Sequence, residues 1–191
     1  MSEIDAKVRF FLEHQKDIEA WYALRQNVII AANAFFQTLD EPVRVLAATL
    51  VGNPEIYTDF ESGIRQVALY RPAWIHSETT PCVSVGFYWD SGSLFNSGWS
   101  GIYLNAGDSL GAVLQEPIMA ATRTHEEGRG DIQENWWPSW RHERPPEALG
   151  RFWEDLDGFR NYLVGRIESR WRAFWPTIDE AVKKARQPAA V

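Results

Sequence analysis

The residues best equipped for chemistry lie between Glu134 and Arg144, in the run ENWWPSWRHER, where Trp136, Trp137 and Trp140 precede Arg141, His142, Glu143 and Arg144. An imidazole beside a carboxylate is the raw material of general acid–base catalysis, provided both groups reach the same proton. In an extended segment His142 and Glu143 point to opposite sides, so this adjacent pair does not form one acid–base couple. The tryptophans offer a second chemistry: an indole face can stack on a base or a sugar, or attract a cation, with Arg141, His142 and Glu143 alongside. Packing competes with that role, because each ring buries ~150–250 Å² and rings inserted between sheet and helix would brace a core. Ten tryptophans are spread over the 191 residues, which favours packing. Pro138 opposes a regular helix, and in an extended chain Trp136, Pro138 and Trp140 share one side and Trp137 the other.

Other constellations are weaker. His125, Glu126, Glu127 and Asp131 supply nitrogen and oxygen donors within the polar stretch 122–135, yet they show neither an H-x-x-x-H pair nor EF-hand spacing. They read as a solvated loop, and no metal site or cofactor is expected. Gly98-Trp99-Ser100-Gly101 approaches a nucleophile elbow, but Ile102 stands where the second glycine belongs. No phosphate-cradling loop, zinc spacing or dinucleotide fingerprint occurs. His14 and Arg25 fall inside the apolar arc of the first helical stretch, and Arg160 inside that of the last. Buried charge must be paired, so these three predict a buried polar cluster where the long helices meet, structural before it is ligand-binding. His76 with Glu78, and Asp90, read as loop residues.

The elements that position these groups follow from periodicity. Apolar residues recur at helical spacing from Ile4 to Leu39, in an arc about half the circumference wide; this predicts one long helix, or two nearly collinear ones, packed on a domain body. Asp40 is expected to cap a second helix with Pro42 in its first turn. GIRQVALY, CVSVGFYW and WSGIYLN alternate like strands. In the second, Val83, Val85, Phe87 and Trp89 share one face and Cys82, Ser84, Gly86 and Tyr88 the other, as in a half-buried antiparallel strand. Asp108 or Ser109 caps a short helix over LGAVLQEPIMAA, expected to kink or restart at Pro117, and helical spacing returns from about Asp155, with Pro176 expected to bend or restart it. The expected fold is α+β, an antiparallel sheet of three or more strands packed by long N- and C-terminal helices, in one domain over residues 1–187 with a frayed tail at 188–191.

Composition narrows the function. Apolar residues make up 45% and charged ones 24%, as in an ordinary globular chain. One cysteine, Cys82, and no signal peptide point to the cytoplasm, and no apolar run is long enough to span a membrane. The net charge of −7 disfavours a general nucleic-acid binder, although residues 141–191 hold 10 Lys+Arg against 8 Asp+Glu.

The order WWPSWRHE, a proline-marked gap, then FWEDLDGFRNYLVGRIESRW resembles the Trp-rich C-terminal tail of PD-(D/E)XK nuclease-like bacterial proteins. The likeness covers at most the last third of the chain. That class places Glu-x-Lys or Asp-x-Lys on a strand after an Asp, whereas the sheet segments here read IRQVALY and VSVGFYW. The resemblance therefore implies a module without nuclease chemistry and carries over no catalytic residue.

The preferred expectation is a non-catalytic cytosolic interaction or accessory module, bacterial or phage defence-related, with an unidentified protein partner. One rival is an enzyme or small-ligand binder with a Trp-lined pocket between sheet and helices. Another is single-strand nucleic-acid binding through Trp stacking, which requires a basic groove near Arg141, Arg144, Arg151 and Arg170. The wide apolar arc of the first helix could also be shared with a second subunit in a homo-oligomer.

Overall fold

A computed structural model describes residues 5–75, 80–95, 97–145 and 152–187. His76, Glu78, Arg151 and the expected tail at 188–191 lie outside the described residues.

The expected alternation produces strands. Five of them, β1 (Glu55–Asp59), β2 (Ile64–Tyr70), β3 (Val83–Asp90), β4 (Trp99–Leu104) and β5 (Ser139–His142), form an antiparallel sheet in sequential order. Register gives the sheet two distinct faces. Val67, Val85 and Ile102 turn inward with Leu69, Phe87 and Leu104, whereas Ala68, Gly86 and Gly101 are paired across the outer face and Trp140 continues that row on β5. The fold is α+β, as its sequence pattern predicts.

Among the described residues five α-helices accompany the sheet, and all but the first help to cover its inner face. They are α1 (Ala6–Glu13), α2 (Gln15–Gln37), α3 (Asp40–Ala47), α4 (Ser109–Thr124) and α5 (Leu156–Arg186). Helix α5 lies across β3 and β4, α3 against β1 and β2, and α4 against α5. Phe36, Trp74, Phe87, Trp89, Phe159 and Trp171 are nearly inaccessible and fill the space between these layers. Asn33 pins α2 to the sheet: its Oδ1 accepts from Arg65 at 2.7 Å and from the Trp89 indole at 3.0 Å, while its Nδ2 donates to the carbonyls of Ile29 and Ser91. Every polar valence of that buried amide is used, which fixes where the helix enters the core.

Several expectations are corrected. The first helical stretch is two helices meeting at His14, one of the expected alternatives, but it does not pack along its length: from residue 7 to 28 all positions are exposed except the partly covered Ile18 and Gln26, and only the C-terminal part enters the core. This stretch is an arm of roughly 30 Å at helical rise, with Phe10, Phe11, Trp21 and Tyr22 exposed. Asp40 does not cap α3; Leu39 holds that position and Asp40 pairs with Arg44 at 2.9 Å. Asp108 does cap α4, accepting from the amide of Leu110, and Asp155 caps α5, accepting from Gly158. Both helices continue through Pro117 and Pro176 rather than restarting. Strand β3 is buried on both faces up to Asp90, so it is not half-buried.

Candidate functional site

The outer face, which no helix of the described residues covers, is built around a row of small residues. The Tyr88 hydroxyl lies 3.0 Å from Oγ of Ser84, four residues back on the same face, so the Tyr88 ring extends over Gly86. A side chain at Gly86 would collide with Ala68, its Cβ lying 2.5 Å from the Ala68 backbone. Trp137 stands edge-on above Tyr88 with centroids 4.6 Å apart, and also meets Trp99 at 5.6 Å and Tyr103 at 5.2 Å. This layer of rings explains why β3 has no wet side.

A four-residue turn delivers Trp137 to this position: the amide of Trp137 donates to the Glu134 carbonyl at 3.1 Å, and that of Glu134 to the Trp137 carbonyl at 2.8 Å. Simple alternation therefore fails within 136–140. Trp136 stacks near Tyr103, Trp137 covers Tyr88 and Trp140 meets Trp99, so all three indoles lie on the outer face. The expected wedge between sheet and helix is not formed. Trp136 is 44% exposed, and Trp137 and Trp140 are half-buried.

Two recesses flank Trp137. One, of 260 Å³, is walled by Trp99, Trp137 and Trp140 and rimmed by Asp90, Glu134 and His142. Trp99 is steeply inclined to both neighbours, at 80° to Trp137 and 64° to Trp140. The other, of 320 Å³, includes Tyr57, Tyr103, Asp59 and Gln66. Burial pushes the Asp59 carboxyl up, but hydrogen bonds from Ser62 and the amide of Glu61 outweigh it and hold the group below the ordinary carboxylate range. Oε1 of Gln66 is buried and accepts no hydrogen bond among the described residues.

The inner face at β4 and β5 carries charge instead. Strand pairing sets Ser100 opposite Arg141 and Ile102 opposite Ser139, all toward α5. Arg170 is fully buried and binds Asp131, also inaccessible, through two nitrogens at 2.7 and 3.1 Å; its Nε donates to Ser100 at 2.8 Å. Arg141 joins Asp131 at 2.6 Å. Glu143 accepts from Ser100, from Tyr162 at 2.8 Å and from Arg166 at 3.0 Å, while Arg166 also meets Glu127 at 2.8 Å. Three guanidiniums thus balance three carboxylates. Burial pushes Asp131 up, but Arg170, Ser139 and Arg141 overcome that and keep its carboxyl below the ordinary range. Burial would lower Arg166, yet Glu143 and Glu127 hold it above its usual value, and burial with the Glu143 hydrogen bond drives Tyr162 to about 12.

These placements divide the expected site residues. Trp136, Trp137, Trp140 and His142 meet on the outer face, whereas Arg141 and Glu143 turn inward, as alternation along β5 requires. Ser100 is buried within the ionic network, and Asp131, expected in a solvated loop, is a core ion. His14 and Arg25 are exposed on the arm, His14 lying against Phe10, while Arg160 donates to Thr38 at 3.0 Å; the buried cluster of these three does not exist. The arm leaves their arc uncovered, so no desolvation forces them to pair. Arg170 is buried and Arg141 is paired, which removes two of the four cations of the basic groove. Among the described residues no group of three or more His, Cys, Asp or Glu could hold a metal ion.

Sequence reasoning missed Trp99, Tyr88 and Tyr103 as site residues. Alternation along β4, with Trp99, Gly101 and Tyr103 on one side, held that signal. Among the described residues no helix is long and apolar enough to cross a membrane. No protein-family model matches the chain, nor does any curated protein or solved structure.

Proposed function

We propose that the chain is a cytosolic, non-catalytic binding module that engages a protein partner through the outer face of its sheet. The observation carrying this reading is the ring layer itself: a sheet face with no helix of the described residues over it holds three half-buried indoles, Trp99, Trp137 and Trp140, beside the exposed Trp136. Aromatic residues of this kind anchor protein interfaces because they bury large area at small entropic cost. The groups best suited to catalysis support it from the other side of the sheet, since Ser100, Asp131 and Glu143 are engaged with one another's partners in the buried network. Stacking on single-stranded nucleic acid fits less well, as Asp59, Asp90 and Glu134 line the recesses where phosphates would approach.

The test is partner capture from the source cells by the wild-type chain and by a Trp136→Ser/Trp140→Ala variant, with captured proteins identified and the fold of each chain checked by circular dichroism. Loss of a specific captured protein from the folded variant supports the reading. An unchanged set of captured proteins refutes it.

A further inference from the structure

We infer that the outer face takes a basic segment of its protein partner, an extended stretch with a cationic side chain seated in each recess on either side of Trp137. This rests on reading that face as the interface. Both recesses combine aromatic walls with anionic or acceptor oxygen. The Trp99, Trp137 and Trp140 recess opens beside the carboxylates of Asp90 and Glu134, and among the described residues no Lys or Arg lines it. The neighbouring recess has the Tyr57 and Tyr103 rings, the Asp59 carboxylate and the unpartnered Oε1 of Gln66, again with no Lys or Arg in its wall.

An indole face attracts an ammonium or guanidinium through its quadrupole, and a nearby carboxylate adds attraction that remains when the cation is desolvated. Two of the chain's own cations already lie over rings elsewhere, Arg71 over Trp175 and Arg160 over Phe35. Volumes of 260 and 320 Å³ fall on either side of the roughly 300 Å³ lower bound of pockets for drug-sized ligands. They suit a side-chain head group rather than a bulky cofactor. Alternate residues of an extended peptide project to one side about 7 Å apart, a spacing that straddles a single indole. The preferred sequence is therefore Arg-x-Arg or Lys-x-Lys.

Titration of the full chain, followed by calorimetry, with the capped peptide Gly-Arg-Gly-Arg-Gly and its counterpart in which citrulline replaces each arginine tests this directly, because citrulline keeps the shape and removes the charge. The arginine peptide is expected to bind at least about tenfold more tightly. An Asp90→Asn/Glu134→Gln variant should weaken it by at least about fivefold. Asp17→Asn/Glu19→Gln, which removes the same net charge from the exposed arm, should change it by less than about twofold. Equal binding of the two peptides overturns the inference, as does an arm variant that weakens binding as much as the recess variant. If the peptides bind equally while partner capture is still lost on changing Trp136 and Trp140, the interface reading stands and the cationic one falls. Selective, Asp90- and Glu134-dependent peptide binding with partner capture indifferent to the tryptophans would show the reverse.

Discussion

Replacing Arg170 by Met would leave the Asp131 carboxylate in the interior without its bidentate partner. Both side chains are inaccessible, and Arg170 gives Asp131 two bonds at 2.7 and 3.1 Å in addition to the bond at 2.8 Å to Ser100. Breaking a buried pair from one side costs ~3–5 kcal/mol, because the remaining ion stays desolvated. Here Arg141 still approaches Asp131 at 2.6 Å, which places the expected loss near the lower end. We expect about 3 kcal/mol at pH 7, or a fall of about 6–12 °C in Tm for a chain of this size.

The same change has a definite pH signature. Asp131 titrates below its usual range in the folded chain, so its stabilising contribution is complete above the unfolded value of about 3.9 and is lost as pH falls through the lower folded value. Without Arg170 the folded carboxyl titrates higher, and the deficit of the variant should shrink as pH falls from 7 toward 4. Urea denaturation at several pH values, followed by tryptophan fluorescence, measures this, and a double-mutant cycle with Asp131→Asn isolates the pair. A deficit below about 1 kcal/mol, or one unchanged between pH 7 and 4, would refute the account of the network as a neutral, mutually dependent set.

Three further outcomes are expected. Gly101→Ala would set a Cβ 2.5 Å from the Ser139 carbonyl oxygen and 2.8 Å from the Trp140 side chain, so it should loosen β5 at a cost of about 1–3 kcal/mol by denaturation. Burial drives the Cys82 thiol to about 12 and its Sγ donates to the Trp74 carbonyl at 2.8 Å, so a disulfide reagent at pH 8 should label it only after unfolding. Trp171→Ala should cost ~3–5 kcal/mol because that ring is inaccessible, whereas Trp21→Ser, at a position 72% exposed, should move stability by less than about 0.5 kcal/mol in the isolated chain; equal effects would contradict the placement of the arm.

The central strands and the helices at both ends were legible because each repeats its period for several residues. The edge strands were not. Strand β1 is only five residues with no position fully buried, and β5 is four residues hidden behind Pro138 and the tryptophans. Local polarity misled at Asp131, whose neutralising partner Arg170 lies 39 positions downstream, a separation that no window of spacing can see. Alternation correctly separated His142 from Glu143, yet it failed at Trp136 and Trp137, where a turn puts neighbours on the same side. His14 and Arg25 were misplaced because an apolar arc was assumed to be covered, and the exposure of residues 7–28 leaves it open among the described residues.

The ionic network also sets a timetable for synthesis. Glu127, Asp131 and Glu143 precede their α5 partners Arg166 and Arg170 in the chain, so a ribosome delivers the three acids with only Arg141 of the network's guanidiniums beside them. At roughly 5–20 residues per second the acids wait several seconds for α5. Until that helix emerges, closing β5 onto β4 would bury Glu143 with no guanidinium from α5, so completing the aromatic face at that edge costs least after α5 is made.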